Sequence, residues 1–304
     1  MAAFTPGLVH TPVTTFSRDR SIDFALYGKL IDFHLGHGAQ SLALPMHAGE
    51  SVSLTAAERR QLVEFAIVHV QGRAPVIVHV SEAGTGLAVA LARHAQQAGA
   101  AAIVATTPYY WTPPAPMLVE HFYEIGTAVE IPIFVYNAPE EMQGTRVTAD
   151  LCRTLIAKLP NFAGVVDLSL DWQFMIELMT DAPRLRPGFQ LISGTELMVS
   201  AAAIGAVGMF APLAAIAPRL VHELYQLCRA EKLFEARKAQ EQLAALRQAV
   251  KRGGVASLKA AMRVLGRDCD APRSPVLPLD PSTYQRLVSE MDAIPSLRTE
   301  PCGW

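Results

Sequence analysis

The sequence has few cysteines and no large excess of charge of either sign. Its 304 residues include four cysteines, and none forms a CxxC pair or has the spacing of a Cys/His metal site. We therefore expect free thiols in a reducing, cytoplasmic compartment. The formal net charge is −2 and the basic residues are scattered, so nucleic acid is not an expected partner.

The sequence also lacks targeting and membrane signals. Residues 1–6 show no basic region followed by an apolar run, so we expect no signal peptide. The segment 197–218 carries no charge and is as long as a membrane span, but Gly205, Gly208 and Pro212 interrupt it. A helix, a glycine turn and a buried strand fit this segment better, and no membrane association is expected.

Apolar residues are abundant, at 51% of the chain against 18% charged, which is enough for a large core. Short apolar segments alternate with segments of helical spacing, one of which opens with the capping box Thr55-x-x-Glu58. This alternation predicts an α/β fold, a (β/α)8 TIM barrel. A doubly wound sheet is the alternative, but no glycine-rich phosphate loop follows the first strand. The predicted strands are 8–11, 41–45, 75–80, 101–105, 132–136, 162–166, 189–193 and 207–211.

The alternation stops near residue 218. Beyond it, the segments 220–228, 233–250, 255–265 and 284–291 have helical spacing. We expect a barrel over residues 1–217 and a C-terminal helical extension over 218–304. The extension is predicted to pack on the barrel as an appendage rather than to form a separate catalytic unit.

Residues that follow the C-terminal ends of barrel strands surround the active site. This set is rich in hydroxyls and carboxylates and contains no arginine or lysine. The missing cations matter because carboxylate substrates usually need cationic groups or exposed backbone N–H groups. The predicted set is His10, Thr11, Thr14, Met46, His47, Gly49, Glu50, His79, Ser81, Glu82, Thr107, Tyr109, Tyr110, Tyr136, Asn137, Glu140, Glu141, Asp167, Ser169, Ser193, Thr195 and Glu196.

Four motifs then occur in order over roughly residues 5–265. They are GES at 49–51 followed by LTAAER at 54–59, TPYY at 107–110, VYNAP at 135–139 and PNFAGV at 160–165. Together they resemble the dihydrodipicolinate synthase/N-acetylneuraminate lyase family of pyruvate-dependent lyases. The resemblance implies a (β/α)8 barrel with a C-terminal helical region, often a tetramer of tight dimers. It also implies 2-oxo-acid chemistry through a lysine Schiff base.

The chain departs from the family pattern at the lysine. The resemblance places the imine-forming lysine at Val166, and valine has no nitrogen that can condense with a carbonyl. The lysines of this chain all fall on predicted helices and none ends a barrel strand. They are Lys29, Lys158, Lys232, Lys238, Lys251 and Lys259.

Two further departures concern substrate binding. The family motif GTTGE reads MHAGE at 46–50, so a relay threonine and a threonine that helps hold the pyruvate carboxylate are both replaced. His47 takes the relay position. Glu141 stands where the synthase branch carries an arginine for its second substrate.

From the resemblance we expect Tyr136 to be the general acid/base, with His47 or Asp167 as its partner, and Tyr110 to reach across a dimer contact. Each of these residues also has a structural alternative. Tyr136 would be a core tyrosine, Tyr110 would pack a subunit contact, and His47 and His79 would be ordinary hydrogen-bonded histidines. No cofactor is expected; a divalent metal on His47, His79 and Asp167 is the alternative. The expected substrate-binding residues are Ala48, Gly49, Asn137, Glu141, Val166, Ser169, Ser193 and Gly194.

The predicted function is a lyase or hydratase/dehydratase step on a small 2-oxo acid or related carbonyl compound, by acid/base chemistry without a lysine imine. Polar strand ends favour an enzyme. A non-catalytic or regulatory small-molecule-binding protein and a metal-assisted aldolase or hydratase are the alternatives. True 4-hydroxy-tetrahydrodipicolinate synthase activity is expected to be absent, because Val166 and Glu141 remove the electrophile and the second carboxylate clamp. We expect a homotetramer or dimer.

Overall fold

The computed structural model describes residues 4–142 and 144–304, and of Glu141 and Met142 it describes the backbone only. Eight parallel strands form a closed barrel in chain order, which confirms the predicted (β/α)8 TIM barrel. Pairing of Val9 in the first strand with Phe210 in the last closes it. The strands are β1 (Leu8–His10), β2 (Ser41–Leu44), β3 (Val76–His79), β4 (Ala102–Thr106), β5 (Ile133–Asn137), β6 (Phe162–Asp167), β7 (Gln190–Ser193) and β8 (Gly208–Ala211).

Helices connect the strands and continue beyond the barrel. They are α1 (Phe24–Gly36), α2 (Ala56–Val70), α3 (Thr85–Ala98), α4 (Ala115–Thr127), α5 (Pro139–Met142), α6 (Ala149–Lys158), α7 (Trp172–Leu185), α8 (Met198–Ala203), α9 (Pro218–Arg229), α10 (Leu233–Lys251), α11 (Gly254–Val264) and α12 (Pro281–Asp292). The division at residues 217 and 218 stays a prediction, although α9 does begin at Pro218.

Side-chain caps explain why some helix starts are visible in the sequence. At α2 the hydroxyl of Thr55 accepts a hydrogen bond from the Glu58 backbone N–H, and the Glu58 carboxylate accepts one from the Thr55 N–H. At α7 the Asp171 carboxylate accepts from the Phe174 N–H. Because these contacts satisfy N–H groups that a helix leaves unpaired, they fix its first turn.

Helices α7 and α12 extend well past their predicted ranges. The sequence pattern predicts a helix over 172–179, whereas α7 runs to Leu185 and contains Pro183, because Ala182 continues the buried face of Phe174 and Leu178. Helix α12 begins at Pro281 rather than residue 284. Its start is an Asp280 cap followed by a proline in the first turn, where the missing N–H costs nothing.

The uncharged segment 197–218 folds as predicted into a helix, a glycine turn and a strand. Helix α8 is followed by Gly205, whose φ of +100° lies in the left-handed region, and then by the buried strand β8. A short 3-10 turn, Pro212–Ala215, leads into α9. No helix in the described part of the chain combines the length and the hydropathy that crossing a membrane requires.

The period of two along each strand separates two layers of the core. Phe134, Tyr136 and Val166 belong to the cluster inside the barrel, whereas Val135 and Val165 pack in the layer between the strands and the helices. This alternation decides which strand-end side chains face the barrel interior. It turns residues 137 and 167, the last of β5 and β6, toward the outer layer.

Buried histidines make the stability of the fold sensitive to acid. Burial lowers the pKa of His34 and of His79 to about 3, from an ordinary value of 6.5. His10, whose Nδ1 lies 3.1 Å from Nδ1 of His34, has a pKa lowered well below its ordinary value, mainly by burial. The folded state therefore binds fewer protons than the unfolded state at acidic pH.

We expect the free energy of unfolding to be highest above pH 6.5 with respect to these histidines and to fall as the pH drops toward 3. For His34 and His79 together the expected loss is about 4 kcal/mol between pH 7 and pH 5. Urea unfolding at the two pH values measures it. An unfolding free energy that is unchanged, or larger at pH 5, would contradict this expectation.

Candidate active site

A cavity of about 380 Å³ opens at the C-terminal ends of the strands. This is the end at which barrel enzymes bind their substrates. Much of its wall is apolar, with a small number of polar groups, as in sites for small molecules. The polar and ionisable lining residues are Thr11, His47, Tyr136, Glu140, Arg247 and Lys251, and the apolar ones include Met46, Leu168, Phe210, Leu213, Val250, Val255 and Leu258.

Tyr136 lies near the end of β5 with its side chain on the inner face of the barrel and 5% of its surface exposed. The ring of His79 contacts it edge-on, with ring centroids 6.3 Å apart. His79 Nδ1 lies 3.1 Å from the carbonyl oxygen of Pro45, which can only accept, so Nδ1 carries the proton. Burial lowers the pKa of His79 to about 3, so Tyr136 has a neutral imidazole beside it.

Val166 lies beside Tyr136 in the pairing of β5 with β6. Its side chain is fully buried inside the barrel. The described strands contain no lysine at all. Lys251 of α10 lines the cavity instead, and Lys259 of α11 is buried against Glu50.

The turn after β2 brings His47 and Ala48 to the cavity and leaves Gly49 buried beneath them. Glu50 follows in the left-handed region, with a φ of +55°. Its Oε2 accepts from the Arg273 backbone N–H at 2.7 Å, and its Oε1 lies 2.6 Å from Nζ of Lys259. A buried ion pair therefore ties this turn to α11.

Asp167 does not line the cavity. Its carboxylate is buried in the outer layer, where it accepts from Asn137 Nδ2 at 2.6 Å and from the Ser169 hydroxyl at 2.9 Å. The expectation that Asp167, Asn137 and Ser169 face the site fails for a physical reason. The strand alternation that points Tyr136 and Val166 inward points their neighbours outward.

Burial raises the pKa of Asp167 from its ordinary 3.8 to about 6, against hydrogen bonds from Ser169 and Asn137 that lower it. A raised pKa means that this carboxyl stabilises the fold fully below pH 3.8 and loses that contribution as the pH rises through 6. We expect Asp167→Asn, which keeps an acceptor oxygen, to raise the free energy of unfolding at pH 7 by about 1–2 kcal/mol. The gain should vanish at pH 4. Urea unfolding at both pH values tests this, and an equal loss at both would contradict it.

The other predicted substrate-binding residues divide between the cavity and its surroundings. Gly194 lines the cavity. A Cβ at this position would clash with the side chain of Leu168, which lies against the glycine. Ser193 is turned away and donates to the Thr195 carbonyl at 2.7 Å. Tyr110 is 97% exposed on this chain and does not reach the cavity. The side chain of Glu141 lies outside the described residues.

The structure does not bring together the three residues of the alternative metal set. His79 points into the barrel, whereas Asp167 points to the outer layer and His47 is exposed at the rim. Among the residues that the structure describes, no three His, Cys, Asp or Glu side chains are grouped so that they could hold a metal ion.

Arg247 and Lys251 are charged lining residues that do not follow a barrel strand, so the search of strand ends does not predict them. They lie on α10, within the region expected to be an appendage, and with Val250 they form one face of that helix. The signal in the sequence is the i, i+4 spacing of two cations on an otherwise apolar stripe. It does not indicate by itself which way that stripe faces.

Comparison with known proteins agrees with this architecture. The model of the dihydrodipicolinate synthetase family matches residues 5–294. The 4-hydroxy-tetrahydrodipicolinate synthase of Azoarcus sp. (strain BH72) is 32% identical over 290 residues, which cover 94% of this chain and 97% of that protein. The synthase of Caldicellulosiruptor bescii is 32% identical over 266 residues, covering 87% of this chain and 88% of that one.

Solved structures share the whole fold. Dihydrodipicolinate synthase from Aquifex aeolicus superposes with a TM-score of 0.91 at 26% identity, over 98% of this chain and 99% of that chain. A prophage protein of the dihydrodipicolinic acid synthase family from E. coli K12, solved in complex with pyruvate, superposes with a TM-score of 0.90 at 25% identity, over 96% and 99%. The fold and cavity define a TIM-barrel protein with a cavity at the C-terminal ends of its strands. The chain belongs to the dihydrodipicolinate synthetase family.

Proposed function

We propose that this family member is a lyase that acts on a small 2-oxo acid or related carbonyl compound by acid/base chemistry and without a lysine imine. The observation that carries the proposal is the pair Tyr136 and Val166, adjacent on the inner face of the barrel. The pair combines a group that can exchange a proton with a side chain that cannot form an imine.

In this scheme Tyr136 acts on a 4-hydroxy-2-oxo acid. The phenolate of Tyr136 takes the proton of the C4 hydroxyl, the C3–C4 bond breaks, and its electron pair moves onto C3 and the carbonyl oxygen as an enolate. An aldehyde leaves, and the phenol of Tyr136 gives the proton it has taken to C3, which yields the 2-oxo acid and restores the phenolate. In the dehydratase version, His47 takes a proton from C3 while the neutral phenol of Tyr136 protonates the C4 hydroxyl, which leaves as water, and a C3–C4 double bond forms.

His47 is our choice for the proton partner of Tyr136. Both side chains line the cavity, and His47 is exposed, so it can exchange protons with water. Asp167, the other partner that the sequence suggests, is held in the outer layer by Asn137 and Ser169. His79 packs against Tyr136 and is a positioning residue in this proposal.

Two other functions compete with this one. The relatives named as 4-hydroxy-tetrahydrodipicolinate synthases make that synthase reaction the first rival. We propose that this chain does not catalyse it, because Val166 offers no electrophile for pyruvate. The second rival is a non-catalytic binding or regulatory protein, favoured by the mostly apolar cavity wall.

A pyruvate-release assay separates the three. Purified protein is incubated with a panel of 4-hydroxy-2-oxo acids, and released pyruvate is measured with lactate dehydrogenase; a second assay supplies pyruvate and aspartate semialdehyde. We expect turnover in the first assay and none in the second. Synthase turnover would overturn the proposal, and binding of the acids by calorimetry with neither pyruvate released nor acid dehydrated would favour the binding protein.

Tyr110 links the proposed function to the oligomeric state. This residue is exposed on the loop after β4, and in the family the corresponding tyrosine reaches across a dimer contact. We propose a homodimer or homotetramer in which Tyr110 approaches the partner's cavity. A cytoplasmic location stays a prediction.

A further inference from the structure

The part of the cavity around Tyr136 is apolar. Tyr136 belongs to a cluster inside the barrel that includes Met46 and Phe210, and all three residues line the cavity. Leu168 packs against this cluster and lines the cavity as well. A group bonded to the substrate carbon on which Tyr136 acts therefore meets hydrocarbon side chains.

The C-terminal helices and the turn after β8 extend this apolar surface. Their apolar lining residues are Pro212, Leu213, Val250, Val255 and Leu258. All of them except Pro212 are buried, so their side chains form a packed wall rather than a loose surface.

Charge is confined to a small part of the lining. The charged lining residues are Glu140 of α5 and Arg247 and Lys251 of α10, and the other described lining residues include no Asp, Glu, Lys or Arg. A carboxylate or an ammonium placed against Met46 or Phe210 would exchange its water for hydrocarbon, which is costly. The wall beside Tyr136 therefore selects against a charged group.

The cavity is also larger than pyruvate needs. Its volume of about 380 Å³ corresponds to the liquid volume of about a dozen water molecules, and pyruvate would occupy a minor part of it. Burial of apolar surface is favourable in proportion to its area, so a bulky apolar group is the occupant that this remaining space favours.

We propose that the substrate is a 4-hydroxy-2-oxo acid that carries a bulky apolar substituent, aromatic or branched aliphatic, on C4. The inference rests on the proposed function and names its substrate class. The substituent lies against Met46, Leu168 and Phe210, and the aldehyde that leaves carries it away. An aldehyde with charged groups, such as aspartate semialdehyde, does not suit this wall, which agrees with the proposed lack of synthase activity.

Calorimetric titration of the full-length protein tests this preference without any turnover. The probes are 2-oxo acids that lack the C4 hydroxyl and differ in the group on C4: hydrogen in 2-oxobutanoate, carboxylate in 2-oxoglutarate, isopropyl in 5-methyl-2-oxohexanoate and phenyl in 2-oxo-4-phenylbutanoate. We expect the phenyl acid to bind about 10- to 100-fold more tightly than 2-oxobutanoate, the gain for burial of one large apolar group. The isopropyl acid should fall between them, and 2-oxoglutarate should bind no more tightly than 2-oxobutanoate.

Val255→Thr tests the wall itself. Threonine has nearly the shape of valine, so the fold should persist, but it places a hydroxyl in the apolar wall. We expect this variant to bind the phenyl acid about 3- to 10-fold more weakly and to lose less affinity for 2-oxobutanoate. The matched control is Val264→Thr on the same helix, at a half-buried position that does not line the cavity, and both affinities should be unchanged there. Thermal unfolding confirms that each variant is folded.

Three outcomes overturn the inference: binding of the phenyl acid no tighter than that of 2-oxobutanoate, tighter binding of 2-oxoglutarate than of both apolar acids, or an equal loss in Val255→Thr and Val264→Thr. Failure of the proposed function gives a different result. If the expected order of affinities holds but no 4-hydroxy-2-oxo acid releases pyruvate or loses water, the apolar preference stands and the lyase chemistry falls. If pyruvate is released fastest from acids with a charged group on C4, the lyase stands and the apolar substrate class is wrong.

Discussion

Replacement of Tyr136 by phenylalanine is expected to lower kcat/KM about 10²- to 10⁴-fold in whichever 4-hydroxy-2-oxo acid reaction the natural protein catalyses, the usual range for a positioned general acid/base. The change deletes one hydroxyl at the cavity wall and keeps the ring that packs against His79 and Val166. The fold should therefore persist while the proton transfer is lost.

The matched control is Tyr27→Phe. Tyr27 lies on α1 with its side chain fully buried, so this variant also loses one buried hydroxyl but outside the cavity. Its kcat/KM should stay within about threefold of the natural value, because positions outside a site do not touch the transition state. Tyr136→Phe with natural turnover, or an equal loss in both variants, would remove Tyr136 from the mechanism.

Replacement of Lys259 by methionine is expected to lower the free energy of unfolding by about 3–5 kcal/mol. Its Nζ lies 2.6 Å from Glu50 Oε1, and both side chains are 2% exposed. Removal of the ammonium leaves a buried carboxylate without its counter-charge, which costs far more than loss of an exposed ion pair. The ring of Phe16, 4.5 Å from Nζ, loses a cation–π contact as well.

Two comparisons identify the cause. Lys238→Met, an exposed position on α10, should change the unfolding free energy by less than about 0.5 kcal/mol. Adding Glu50→Gln to Lys259→Met should recover part of the loss, because glutamine removes the stranded charge and can still accept from the Arg273 N–H. Urea unfolding measures all three. A loss below 1 kcal/mol in Lys259→Met would show that the pair contributes little.

The barrel could be predicted from the sequence because its signals are local. Alternating apolar strands, the capping box at Thr55 and the cap at Asp171 each act within a few residues. The local signals of Gly205, Gly208 and Pro212 likewise showed that the long uncharged segment 197–218 is not a single membrane-spanning helix. The end of α7 was missed because tertiary burial of its apolar face, and not a cap, carries it past Pro183.

The site could be predicted only in part. Tyr136, His47, Ala48 and Gly194 line the cavity as expected. Val166 faces the barrel interior, and successive side chains of a strand point to opposite sides. Asp167, the next residue, therefore faces the helices, which can be predicted only once the strand register is known. Arg247 and Lys251 reach the cavity through packing of α10 on the barrel, a long-range arrangement that no local pattern encodes.

The claim that the protein works without an imine is tested most directly by borohydride trapping. The protein is incubated with pyruvate and sodium borohydride, and intact mass and peptide mapping follow. We expect no pyruvyl adduct on any lysine of the natural protein. Val166→Lys, which places an amine beside Tyr136, should gain an adduct at residue 166. An adduct in the natural protein that maps to a lysine, whether Lys251 in the cavity wall or the buried Lys259, would show that an imine forms and would identify the residue that forms it.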